Sequence, residues 1–151
     1  MDEKTNNRVA LAVEQLHVAI DLFLSNTSDA AALTLAGAAD EILGQKASRF
    51  GQQQAIEFKH AVLTKLLKRS GRAPKPLAEL RKEENFVRNL LKHLDPNDDE
   101  NFEGNIASEA LQKISSACNN FERCGLPLTE KMLEFRGWYL SELPRGTRNC
   151  A

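Results

Sequence analysis

Arg88-Asn89-Leu90-Leu91-Lys92-His93 carries more chemistry than any other short stretch of this chain. On a helix, Asn89 and His93 are i, i+4 neighbours and share one face. Arg88 and Lys92 form the next such pair, one step around. An imidazole that titrates near neutral pH can move a proton to or from a reacting oxygen. A guanidinium can grip a phosphate with two parallel hydrogen bonds and stabilise developing charge, and Lys92 can bind phosphate as a point charge. An amide at Asn89 can orient either group. The set is competent for metal-independent RNA cleavage, with His93 as general acid/base and Arg88 on the phosphate. Arg88 and His93 stand five residues apart, roughly 140° around a helix. They converge on one phosphate only if the last turn unwinds, or if two copies face each other across a two-fold axis. The plainer alternative is a solvated helix face whose cations sit favourably at a helix C-terminus.

The other titratable residues suggest structural roles. His17 reads as a core-edge residue of a first helix and His60 as a solvated one. Cys118, Cys124 and Cys150 are odd in number and lack metal-ligand spacing. Cys118 reads as core, and Cys124 and Cys150 as free thiols. Between Glu57 and Glu79 there is no acidic residue, whereas Lys59, Lys65, Lys68, Arg69, Arg72 and Lys75 fall there. Such a segment can track a phosphate backbone or simply enrich a helix end and loop in cations. The run Asp95, Asp98, Asp99, Glu100 and Glu103 follows His93 directly. It would repel RNA, and it could pair with the basic segment of a second copy. Asp98-Asp99 matches no Ca²⁺ loop, and no Gly-rich phosphate loop, G-x-S-x-G or H-E-x-x-H is present. No cofactor and no metal is expected.

The order Arg88, Asn89, three residues, His93 resembles the R-x4-6-H motif of HEPN-domain proteins. That resemblance implies an all-helical bundle, often dimeric, with metal-independent ribonuclease activity in toxin–antitoxin and defence systems. It implies RNA and an antitoxin-like protein as partners. A second resemblance is to a group of bacterial helical proteins carrying N-F-F-K-H-A-D. Asn89, Lys92, His93 and Asp95 match that string, while Leu90, Leu91 and Leu94 depart from it. An Arg before the Asn is not part of that pattern, so this likeness supports Asn89, Lys92 and His93 more than Arg88. The stretch Thr34 to Leu43 also looks like that group's second helix.

The elements that must position these residues read as helices nearly throughout. Val9, Val13, Leu16, Ile20 and Phe23 form one face of a first helix, closed by Ser25-Asn26-Thr27-Ser28. A second runs from about Asp29 to Gln45, and its run of Ala with Gly37 invites a close helix neighbour. A third spans about 52–69 with Ala55, Val62, Leu63, Leu66 and Leu67 inward. A fourth spans about 77–94 with Leu80, Val87, Leu91 and Leu94 at core spacing, placing His93 in its last turn before Asp95-Pro96. A fifth, about 105–124, turns Ala107, Leu111, Ile114, Ala117 and Phe121 inward. Thr129 caps a short sixth helix through about Leu140, with Leu133 and Phe135 to Trp138 against the bundle.

The expected fold is all-α, a single mostly antiparallel bundle of five or six helices, HEPN-like. One domain covers residues 1–151, with an ordered core of about 9–140 and a loose tail from Pro144. Hydrophobic residues at 42% are enough for a core, and 20 basic against 21 acidic residues exclude a uniformly basic nucleic-acid binder. No apolar run reaches the roughly 18–20 residues of a membrane span. The polar start from Met1 to Arg8 does not resemble a signal peptide. A cytoplasmic homodimer is expected. Two functions fit: a metal-independent RNA endonuclease using Arg88, Asn89, Lys92 and His93, or a non-catalytic helical module that dimerises or binds a protein or nucleotide partner.

Overall fold

A computed structural model describes residues 5–143 as six α-helices, with no strand among them. These are α1 Arg8–Leu24, α2 Asp29–Arg49, α3 Ala55–Arg69, α4 Leu77–Leu90, α5 Ile106–Arg123 and α6 Glu130–Glu142. The tail from Pro144, with Cys150, lies outside the described residues. Most of the helices start where a short polar side chain can accept from free backbone N–H groups. Asn7 accepts from Val9 and Ala10, Ser28 from Ala31, Asn105 from Ser108, and Thr129 from Met132.

The core is built by α1, α2 and α5. Ala32, Ala36, Ala39 and Ala47 of α2 are fully buried, and their small side chains let α1 and α5 pack closely on either side. Leu16 and Ile20 of α1, Leu33 and Leu43 of α2 and Ile114 of α5 fill the interior. Short α6 adds Met132 and Phe135, and Phe23 meets Trp138 edge-on with ring centroids 5.2 Å apart.

The α3–α4 pair is attached differently. No residue of α3 is buried, and α4 buries only Leu80 and Val87. The inward placement of Val62 and Leu66 is therefore corrected: both are exposed, as are Ala107 of α5 and Leu133 of α6. The amphipathic period identified the apolar face of α3, of which Ala55, Leu63 and Leu67 are half-buried whereas Val62 and Leu66 stay exposed. Likewise α4 stops at Leu90, short of Leu94. Leu91 still packs on the core, whereas Leu94 is exposed, so further turns would order backbone without burying apolar surface.

Candidate functional site

The end of α4 divides the four singled-out residues into two sets. Asn89, Lys92 and His93 are exposed. Lys92 and His93 lie beyond the helix, and their backbone N–H groups both donate to the Asn89 carbonyl at 3.1 Å. His93 is thus in a turn after the helix rather than in its last turn. Arg88 goes elsewhere. Its side chain, only 12% exposed, crosses to α2, where Nη1 donates to the Gly37 carbonyl at 2.9 Å and lies 3.6 Å from Glu41 Oε2. It forms no ion pair with Glu84, which binds Lys59 instead. The cavity that Arg88 lines is lined by none of Asn89, Lys92 and His93.

Gly37 explains how Arg88 can cross. A Cβ built there would overlap Arg88 Cδ. Gly37→Ala should therefore lower stability by about 1–3 kcal/mol through overpacking, despite a helix-propensity gain of about 1 kcal/mol. In an Arg88→Ala background the same change should become neutral or stabilising. Urea midpoints of the four proteins check this. A midpoint raised by Gly37→Ala in the parent would contradict it.

Beside Arg88 lies a polar cluster that the sequence did not single out. Asp40 of α2 is 15% exposed and Lys113 of α5 is 6% exposed, with Oδ2 and Nζ 3.6 Å apart. Asp40 Oδ1 accepts from Ser116 Oγ and from Asn120 Nδ2, each at 2.7 Å. Asn120, itself buried, accepts the Ala55 N–H at 2.8 Å through Oδ1 and so caps the start of α3. Burial pushes the Asp40 carboxyl above its ordinary value, against the opposing pull of Lys113 and the two hydrogen bonds. The available signal was spacing. Lys113, Ser116 and Asn120 fall at intervals of three and four, one step before the apolar residues Ile114, Ala117 and Phe121.

The remaining chemistry-bearing residues are structural. His17 Nε2 is 2.8 Å from Thr129 Oγ1, and His60 Nε2 is 2.7 Å from the Lys75 carbonyl oxygen, so His60 is tied down rather than freely solvated. Burial pushes the Cys118 thiol up to about 12, which suppresses the thiolate and its reactivity. Cys124 is also buried. No group of three or more His, Cys, Asp or Glu among the described residues is arranged to hold a metal ion. None of the described helices is long and apolar enough to cross a membrane.

A larger concavity is on the other side of Lys113. A cavity of about 430 Å³ separates α3 from α5, with Tyr139 of α6 at its edge. The α3 wall is apolar, formed by Ile56, Phe58, Val62 and Leu63, whereas α5 contributes small polar residues, including Ser115, Ser116 and Asn119. Phe58, Val62 and Leu66 are i, i+4 and i+8 on α3 and form an exposed row, 51%, 40% and 54% accessible. No family model matches this chain, and no curated protein or solved structure was found to be similar to it.

Proposed function

We propose that this chain is a non-catalytic helical interaction module that pairs with a second copy of itself through the α3 face. The observation that carries this reading is the exposed Phe58–Val62–Leu66 row beside an open groove. An apolar row left about half exposed on a helix face suits a partner. Charge complementarity points to a second copy. Lys65, Lys68, Arg69 and Arg72 surround the row and make no ion pair among the described residues. Asp95, Asp98, Asp99, Glu100 and Glu103 also make none, and their segment carries exposed Leu94 and Phe102. Across a two-fold axis, the α3 row of each copy meets the acidic segment of the other, so the same contact forms twice.

The RNA endonuclease reading is supported by the joint exposure of Asn89, Lys92 and His93 on one turn. It is weakened by Arg88, whose guanidinium binds α2 and so is not a phosphate clamp beside His93. Metal-free RNA cleavage that is lost only in His93→Ala would favour that reading and its RNA and antitoxin-like partners.

Sedimentation equilibrium tests the pairing. The wild type should show about 34 kDa, twice the 16.8 kDa of one chain, at low ionic strength. Salt should weaken the pairing, because exposed charges are screened. Val62→Asp should weaken it about thirtyfold or more, the effect of losing a central apolar anchor. The fold should survive, since Val62 is exposed in the monomer. A mass of 16.8 kDa for the wild type across micromolar concentrations would contradict the proposal.

A further inference from the structure

The cavity beside Arg88 differs from the α3 groove. It encloses about 170 Å³ between α2, α4 and α5, and its lining includes Asp40, Glu41, Arg81, Arg88, Lys113 and Asn120. Arg81 and Arg88 each keep a buried Nε–H with no acceptor. An arginine cannot escape this by losing its proton, so both side chains keep their full positive charge at the cavity. Lys113 adds a third cationic group. Its one ion-pair partner among the described residues, Asp40, is 3.6 Å away, and it makes no hydrogen bond to a described residue.

The carboxylates around the cavity are already occupied or peripheral. Asp40 Oδ1 accepts two hydrogen bonds. Glu57 accepts the Gln54 N–H through Oε2 and Arg81 Nη2 through Oε1. Glu41 is 69% exposed, so its charge is largely solvated. The lining therefore has surplus donors, and they come from two helices. Arg81 and Arg88 are two turns apart on α4, and Lys113 reaches in from α5. A planar carboxylate offers two oxygens in one plane, whereas a phosphoryl group offers three in a tetrahedral fan. The space is many times the roughly 10–15 Å³ that one water requires.

We propose that this cavity is a binding site for a phosphoryl group, held by the guanidinium groups of Arg81 and Arg88 and by the ammonium of Lys113. Arginine forks match phosphate oxygens geometrically, and charge-assisted hydrogen bonds are stronger in a partly buried site. Arg88 then has two roles on one side chain. Nη1 fixes α4 to α2, and the guanidinium charge attracts the ligand. The site does not depend on self-pairing, because its lining excludes the Phe58–Val62–Leu66 row.

The ¹H–¹⁵N spectrum of the arginine Nε–Hε groups tests this directly. The intact protein is titrated with inorganic phosphate, AMP, acetate and chloride at constant ionic strength and pH 7. Phosphate and AMP should shift the Arg81 and Arg88 signals saturably, and chloride should not. Tighter binding of AMP identifies a phosphomonoester as the source, and tighter binding of phosphate identifies the free ion. Arg81→Gln should weaken phosphate binding at least tenfold and leave the fold intact, because Arg81 has only a partly exposed pair with Glu57 to lose. Signals that ignore phosphate, or that respond equally to chloride, would show that the cavity holds water alone. An equal response to acetate, or undiminished binding by Arg81→Gln, would also overturn the phosphoryl site.

Discussion

Lys113→Met should destabilise the fold by about 3–5 kcal/mol at neutral pH, the usual cost of removing one member of a buried ion pair. It strands the Asp40 carboxylate, which is 15% exposed and has Lys113 as its sole ion-pair partner among the described residues. Asp40→Asn alone should cost much less. Burial already favours the neutral form of this side chain, and an asparagine oxygen can still accept from Ser116 and Asn120, which reach Oδ1 at 2.7 Å. The double variant Asp40→Asn, Lys113→Met should regain most of the stability, since it removes both buried charges and keeps both hydrogen bonds. Chemical denaturation of the four proteins completes the cycle. Additive losses in the double variant would show that the two residues are not coupled.

The same carboxyl has a pH signature. Burial raises the Asp40 value in the folded state above its ordinary 3.8. Between 3.8 and the raised value, the folded state binds more protons than the unfolded state. The Asp40 contribution is then fully present below 3.8 and is lost as pH rises through the folded value. Asp40→Asn should remove this component from the pH dependence of stability.

Much of the fold was legible because helix period and caps are local. Asn7, Ser28, Asn105 and Thr129 sit where polar residues precede apolar periodicity, and each caps a helix. The alanines of α2 with Gly37 foretold a close neighbour, but not that the neighbour would include Arg88. Period alone cannot tell whether a long side chain follows its own helix face or crosses to another helix. The end of α4 was misplaced because Pro96 marks only where a helix cannot continue. The helix stops earlier, where burial stops at Leu91. Val62 and Leu66 read as inward because an apolar stripe looks the same whether its cover comes from its own chain or from another. Asp40, Lys113 and Asn120 went unnoticed because each is an ordinary surface residue type. Only their meeting between α2 and α5 makes them a buried cluster.

A charge exchange between two variants should restore pairing that each variant alone has lost. In the first variant, Lys65, Lys68 and Arg69 are all changed to Glu. In the second, Asp98, Asp99 and Glu100 are all changed to Lys. All six residues are exposed, so neither fold should be harmed. The first variant sets an acidic α3 face against the acidic segment of its own copy. The second sets a basic segment against a basic α3 face. Both homodimers place like charges together, which costs several kcal/mol at an interface. In the mixture, the acidic α3 face of the first meets the basic segment of the second. The unaltered basic α3 face of the second meets the unaltered acidic segment of the first. Both contacts of the two-fold pair are then attractive again. The deciding measurement is the sedimentation-equilibrium mass at low ionic strength. Each variant alone should give 16.8 kDa, and an equimolar mixture should give about 34 kDa. A mixture that stays at 16.8 kDa, or variants that pair as well as the wild type, would contradict self-pairing through α3 and the acidic segment.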